Sequence, residues 1–282
     1  LDAAKSSGED VKEIKIAGFS SDLTPGDKPT VSVYGQEGSG KTRFAATAPG
    51  PIGLLPLDRK SKRTFEIIAK TLNTQVVIPK TDYMKPSDLI SISLLDSEDK
   101  ESLGKVKKHY SELVKRVMED AMKLADHPEI QSIVVDSNTQ FWDWIMFSHF
   151  GRRNQVETFQ RGAPNQDMID FINALKHKNL VLLHRAAEVW KDTGEIDKNG
   201  KKKQGPTGKF KAEGCSKLGY LITCEIEMVD KAKAETLDDK FKVRIRECQN
   251  NPLMEGVLLD EYGVMGESIT WDNLMTAIGW AE

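Results

Sequence analysis

The sequence predicts an α/β fold with a mainly parallel central sheet, flanking helices and an antiparallel hairpin toward the C-terminus. Three observations carry this expectation. Short apolar runs recur at 31–34 (VSVY), 52–57 (IGLLPL), 75–78 (QVVI), 132–135 (SIVV) and 180–183 (LVLL). They are too short for helices and lack polar alternation, as strands buried on both faces do. Between them, Leu103, Val106, Tyr110, Leu113, Val114, Val117, Ala121 and Leu124 repeat at helical spacing, so residues 102–125 read as an amphipathic helix with a solvated face of Lys and Glu. After residue 218 the pattern alternates instead: YLITCEIEMV and FKVRIREC, joined by the polar DKAKAETLDDK, read as a hairpin.

The ends of the chain are simpler. Residues 1–29 read as a loosely ordered segment with one short alternating piece at Val11–Ile16, residues 30–250 as the core, and 251–282 as an extension whose helix starts at an N-capping Thr270. Trp142 and Trp144 read as packing residues. Apolar residues make up 39% of the chain and charged residues 29%, and no run approaches the roughly 20 apolar residues of a spanning helix. The chain reads as cytoplasmic, with no membrane partner. Cys215, Cys224 and Cys248 lack metal or redox spacing and read as buried thiols. A net charge of -3 excludes a globally basic surface, so any nucleic-acid contact must lie on a local strip.

The strongest chemical signal follows the first apolar run. Gly35, Gln36, Glu37, Gly38, Ser39, Gly40, Lys41 and Thr42 match G-x-x-x-x-G-K-[ST] between a strand and a helix-compatible RFAATA. Glycines in such a loop let backbone N–H groups converge on an anion, Lys41 reaches the β- and γ-phosphates, and Thr42 takes Mg²⁺. ATP and Mg²⁺ are therefore the expected cofactors. Asp136 ends the SIVV strand and is the expected second metal residue. Asp58 and His184 end neighbouring strands, where ligands of open α/β sheets bind, and either is a candidate to orient the attacking water. Glu37 is a further candidate.

Together these residues resemble the RecA-like P-loop ATPase core over about residues 30–250, closest to phage-encoded RecA-like ATP-binding and single-strand annealing proteins. The resemblance rests on the cradle, the VVDS segment at 134–137, the carboxylate after GLLPL, the polar residue ending the next strand and the basic stretch beyond it. It implies a DNA-stimulated ATPase acting in recombination or strand annealing, in a host cytoplasm if phage-encoded. Its partners would be single-stranded DNA, head-to-tail copies of itself in a ring or filament, and a single-stranded DNA-binding protein. Asp58 falls where the family keeps a catalytic Glu, and His184 where a Gln senses the γ-phosphate. Arg246, with Arg244 and Lys209 as rivals, falls where a basic residue reaches the neighbouring subunit's nucleotide.

Two basic stretches remain. KNGKKKQGPTGKFK holds six lysines and no acid and reads as a mobile DNA-binding loop, with Lys198, Lys201, Lys202, Lys203, Lys209 and Lys211 on phosphates and Phe210 stacked on a base. Arg59-Lys-Ser-Lys-Arg63 faces DNA, nucleotide, a neighbour or solvent. Two other functions fit the cradle: a phosphotransferase acting on a small molecule or nucleotide, and a nucleotide-gated assembly protein that does not touch DNA.

Overall fold

The computed structural model describes residues 27–83, 99–151, 156–196, 202–229, 242–259 and 269–280. The piece at Val11–Ile16 lies outside them, as do Lys198 and Lys201.

Each predicted apolar run contains a strand. β1 (Thr30–Gly35), β2 (Ile52–Pro56), β3 (Val76–Val77), β4 (Ser132–Asp136), β5 (Asn179–Ile196), β6 (Lys202–Ala212), β7 (Cys224–Met228) and β8 (Val243–Cys248) form one sheet. Its order is β3-β2-β4-β5-β1-β7-β8, with β6 paired to β5 off this path. All neighbours are parallel except β7–β8, the expected hairpin, and β5–β6.

Helices cover both faces: α1 (Lys41–Ala45), α2 (Ser61–Thr71), α3 (Lys100–Asp126), α4 (Asn138–Phe150), α5 (Gly162–Leu175) and α6 (Trp271–Ile278). Strand alternation explains why the central runs are continuously apolar. Ile133, Val135, Leu180 and Leu182 share one core with α3, α4 and α5, where Trp142 and Trp144 are also buried. Val134, Val181 and Leu183 join Val31 and Val33 in a second core under α1, α2 and α6. Each fully buried Leu or Val stabilises by about 1.5–3 kcal/mol relative to exposure. The three cysteines are free and buried.

α6 shows how local chemistry sets an element boundary. Thr270 caps it through a reciprocal box with Asn273, and the Trp271 N–H donates to Thr47 Oγ1 at 2.8 Å, docking the helix against the end of α1. Gly279, in the left-handed region at φ 70, stops it. Thr270→Ala is expected to lower stability by about 1 kcal/mol, read as a lower urea midpoint at unchanged slope. An unchanged midpoint would show that the cap contributes nothing.

The basic stretch corrects the sequence reading. LVLL does not end a strand at His184. β5 continues to Ile196, and β6 returns antiparallel beside it, so residues 202–212 are a strand of a long two-stranded arm rather than a mobile loop. Both arm strands are polar on their outer faces, which hides them from a search for apolar runs. Register pairs Ala187 with Lys211 and Lys191 with Gly205, while Glu188 faces Phe210 and Trp190 faces Pro206. Opposed residues share a face and successive ones alternate, so Lys209 and Lys211 share a face; a register shift between Glu188 and Trp190 separates them from Lys191 and Lys203, and Lys203 Nζ donates to Glu195 Oε2 at 2.9 Å. Phe210, between Lys209 and Lys211 in the strand, lies on the opposite face from both.

Candidate functional site

The cradle runs from the end of β1 into α1. Gly38 and Gly40 adopt φ values of 78 and 94, a left-handed backbone that a side chain would strain. Gly35 is constrained differently: a Cβ there would lie 2.7 Å from Ser39 Oγ and 2.9 Å from the Met228 carbonyl oxygen, so the loop closes only around glycine. Lys41 Nζ donates to the Gly35 and Gln36 carbonyl oxygens, each at 2.8 Å. Burial pushes the Lys41 pKa down, against the pull of Asp136 and Glu37. Ser39 Oγ is buried without a protein partner. These features suit a polyanion: a left-handed glycine backbone, a fixed ammonium and room for no side chain at Gly35.

The cradle opens on a cavity of about 890 Å³ whose wall includes Gly35 to Thr42, Asp58, Lys60, Asp136, His184 and Arg185. Strand register accounts for the grouping. Gly35 pairs with Arg185 and Tyr34 with His184 across β1 and β5, while Asp136 pairs with Leu183 on β5 and Pro56 on β2. The ends of β1, β2, β4 and β5 therefore meet on one rim, and the predicted Lys41, Thr42, Asp58, Asp136 and His184 come together there.

Asp136 is 9% exposed. Its carbonyl accepts from the Leu57 N–H at 2.6 Å and the Asp58 N–H at 3.2 Å, which pins the end of β2 beside it. Burial, then the nearby Asp58 carboxylate, raise its pKa to about 6 against the opposing pull of Lys41. A carboxylate held this way and a threonine hydroxyl on the same cavity are hard oxygen donors suited to Mg²⁺. Asp58 is exposed and accepts from the Lys60 N–H at 3.0 Å. Glu37 stands on the outer lip, 3.9 Å from Lys60 Nζ, with both side chains almost fully exposed. Of the other basic residues at 59–63, Arg59, Lys62 and Arg63 are also exposed.

His184 is 1% exposed. Its Nδ1 lies 3.1 Å from the Glu213 carbonyl oxygen, which can only accept, so Nδ1 carries the proton. Burial lowers the ring pKa to about 4, keeping it neutral. Nε2 is then a buried acceptor, and it has no protein partner.

Arg246 lies apart from this rim group, on β8. Its guanidinium is held by Glu227 of β7, with Nε at 2.7 Å from Oε2 and NH2 closer still, and Arg244 approaches the same carboxylate at 3.7 Å. Tyr34 packs beside them, its phenol pushed up to about 12 by burial first and then by Glu227. The Tyr34 hydroxyl donates to the Phe210 carbonyl oxygen at 3.3 Å, fastening the arm to β1.

Sequence reasoning missed the polar cluster behind His184. Thr139 Oγ1 accepts from the Arg185 N–H at 3.0 Å and donates to the Glu213 carbonyl oxygen at 2.9 Å. Arg185 reaches Asp143 Oδ2 at 2.9 Å and Glu213 Oε2 at 3.1 Å. No local motif joins these residues, which come from three separate stretches of chain.

Comparison with known proteins agrees with the cradle. No curated protein sequence matches significantly. Among solved structures, the KaiC-like protein of the hyperthermophilic archaeon Pyrococcus horikoshii OT3 is similar at 14% identity and a TM-score of 0.34, over 79% of this chain and 80% of that one. Among the described residues, no helix is long and apolar enough to cross a membrane. A family model described as an AAA domain matches residues 27–254. That match begins just before β1 and ends just after β8, taking in the cradle, Asp136 and the hairpin together, and the chain belongs to this AAA domain family of P-loop ATPases.

Proposed function

We propose that this ATPase domain binds ATP with Mg²⁺, hydrolyses it slowly and uses the nucleotide to set its grip on single-stranded DNA, in recombination or strand annealing of the phage type that the resemblance implies. The observation that carries the reading is the series of lysines along the β5–β6 arm, which is joined at its base to the nucleotide cavity through the contact of His184 with Glu213. Copies of the chain assemble head to tail on the DNA, with a single-stranded DNA-binding protein as a further partner.

In this reading the cradle N–H groups and Lys41 hold the β- and γ-phosphates, and Thr42 and Asp136 hold the metal. Bound Mg²⁺ would neutralise charge developing on the phosphates. His184 Nε2, an acceptor, takes a hydrogen bond from the attacking water rather than giving one to a phosphate oxygen. The exposed Asp58 receives the water's proton as the water oxygen bonds to the γ-phosphorus and the bond from that phosphorus to the bridging oxygen breaks, ADP leaving with the electron pair. Its short side chain makes this inefficient, hence slow turnover. The His184 ring and the Glu213 carbonyl then move together, so a change at the cavity reaches the first residue beyond β6.

Lysines along the arm contact phosphates without reading bases. Replacing Lys203, Lys209 and Lys211 with alanine is expected to weaken single-stranded DNA binding at least tenfold at low salt and to flatten the plot of log affinity against log salt by about 0.7 per lost contact. Fluorescence anisotropy of a labelled oligonucleotide across a salt series reads both. Equal affinity and slope in variant and parent would return the arm to a plain solvated hairpin.

A further inference from the structure

Arg185 shares the cavity wall with the cations Lys41, Arg43 and Lys60, and no motif singled it out. It pairs in register with Gly35, the first residue of the cradle, and its side chain is about half exposed. Two carboxylates from different elements hold it: Asp143 of α4 at 2.9 Å and Glu213, just past β6, at 3.1 Å. The backbones are joined too, since the Glu213 N–H donates to the Arg185 carbonyl oxygen at 2.9 Å. One guanidinium therefore faces two carboxylates at the mouth of a cavity built for a polyanion.

A guanidinium fork fits phosphate as well as carboxylate. Glu213 is nearly half exposed, so water screens its hold on Arg185. Asp143 is the better-sheltered partner, its pKa raised by burial and drawn back by Arg185. A terminal phosphate has more charge than either carboxylate, and Glu213 is the partner it displaces first.

We propose that Arg185 is a shared cation that the terminal phosphate of a bound nucleoside triphosphate draws away from Glu213, so that the site distinguishes triphosphate from diphosphate and frees the base of the arm only for the former. This rests on the ATPase reading above. It differs from the role given to His184: the histidine accepts from water, whereas Arg185 donates to phosphate.

The sign of two substitutions separates this role from a structural one. With the full chain and Mg²⁺, binding of ATPγS and of ADP is measured by calorimetry for the parent, Arg185→Ala, Arg185→Lys and Glu213→Gln. Arg185→Ala is expected to weaken ATPγS by roughly tenfold or more while ADP binding stays as in the parent, and Arg185→Lys to restore part of the loss. Glu213→Gln removes the rival acceptor and is expected to tighten ATPγS by a few fold. A merely structural bridge predicts instead that Arg185→Ala and Glu213→Gln weaken both nucleotides together, and that result would overturn the assignment. So would a parent that binds both nucleotides alongside an Arg185→Ala protein with the same triphosphate preference. A parent that binds neither nucleotide overturns the ATPase reading itself, and this inference with it.

Discussion

Lys41→Ala is expected to lower ATP turnover by roughly a hundredfold or more while the folded protein melts close to the parent. The chemical loss follows from position: the ammonium sits under the loop, donating to the Gly35 and Gln36 carbonyl oxygens, where it faces the phosphates that the loop would enclose. The small effect on folding follows from burial. Folding already works against this charge, as the lowered pKa shows, so deleting it removes a desolvation cost along with two hydrogen bonds, and the net change stays within about 1 kcal/mol. Steady-state phosphate release and a thermal melt, run on the same preparation, check both halves. Turnover equal to the parent's would sink the cradle assignment, whereas lost turnover with a collapsed melt would show that Lys41 acts on the fold.

Asp136→Asn carries the second large effect, and its two parts have opposite signs. The Asp136 pKa is raised from 3.8 to about 6, chiefly by burial. A carboxyl raised in this way stabilises the fold only while protonated: the contribution is complete below about pH 3.8, fades as pH rises, and is lost above about 6. At neutral pH the ionised group costs up to about 3 kcal/mol. The amide is never charged, so the variant is expected to be more stable than the parent at about pH 7.5, with the gain shrinking toward zero by about pH 4. Turnover should fall roughly a hundredfold or more, because the metal loses its protein carboxylate. Urea unfolding at the two pH values, beside turnover, tests it. Equal stability at the higher pH would mean that Asp136 is better solvated than its burial indicates.

The cradle loop and the strand that ends at Asp136 were legible in the sequence because each depends on neighbours within a few residues: Gly35 to Thr42 make their own loop, and Asp136 closes its own apolar run. The central strands were legible because both faces are buried, leaving no polar alternation to blur them. The arm was not. Beyond His184 the apolar run breaks up among charged residues, and one local sign was Asn199-Gly200, a dipeptide favoured in tight hairpin turns, read there as glycine in a mobile loop. The group of Thr139, Asp143, Arg185 and Glu213 could not be read in advance either. Its hydrogen bonds span 28 to 74 residues, and they exist only because α4, β5 and the end of β6 converge on one rim.

The place of β1 in the sheet has a consequence for synthesis. This first strand pairs with β5 on one side and β7 on the other, partners that leave the ribosome roughly 150 and 190 residues later. Until then Val31 and Val33 have neither neighbour, and an apolar strand with two open edges is a template for pairing with another nascent chain. The cradle shares that delay, since Gly35 is packed against Met228. Nucleotide therefore cannot help the growing chain to fold. It can act only once β7 has been made and Met228 is in place against Gly35.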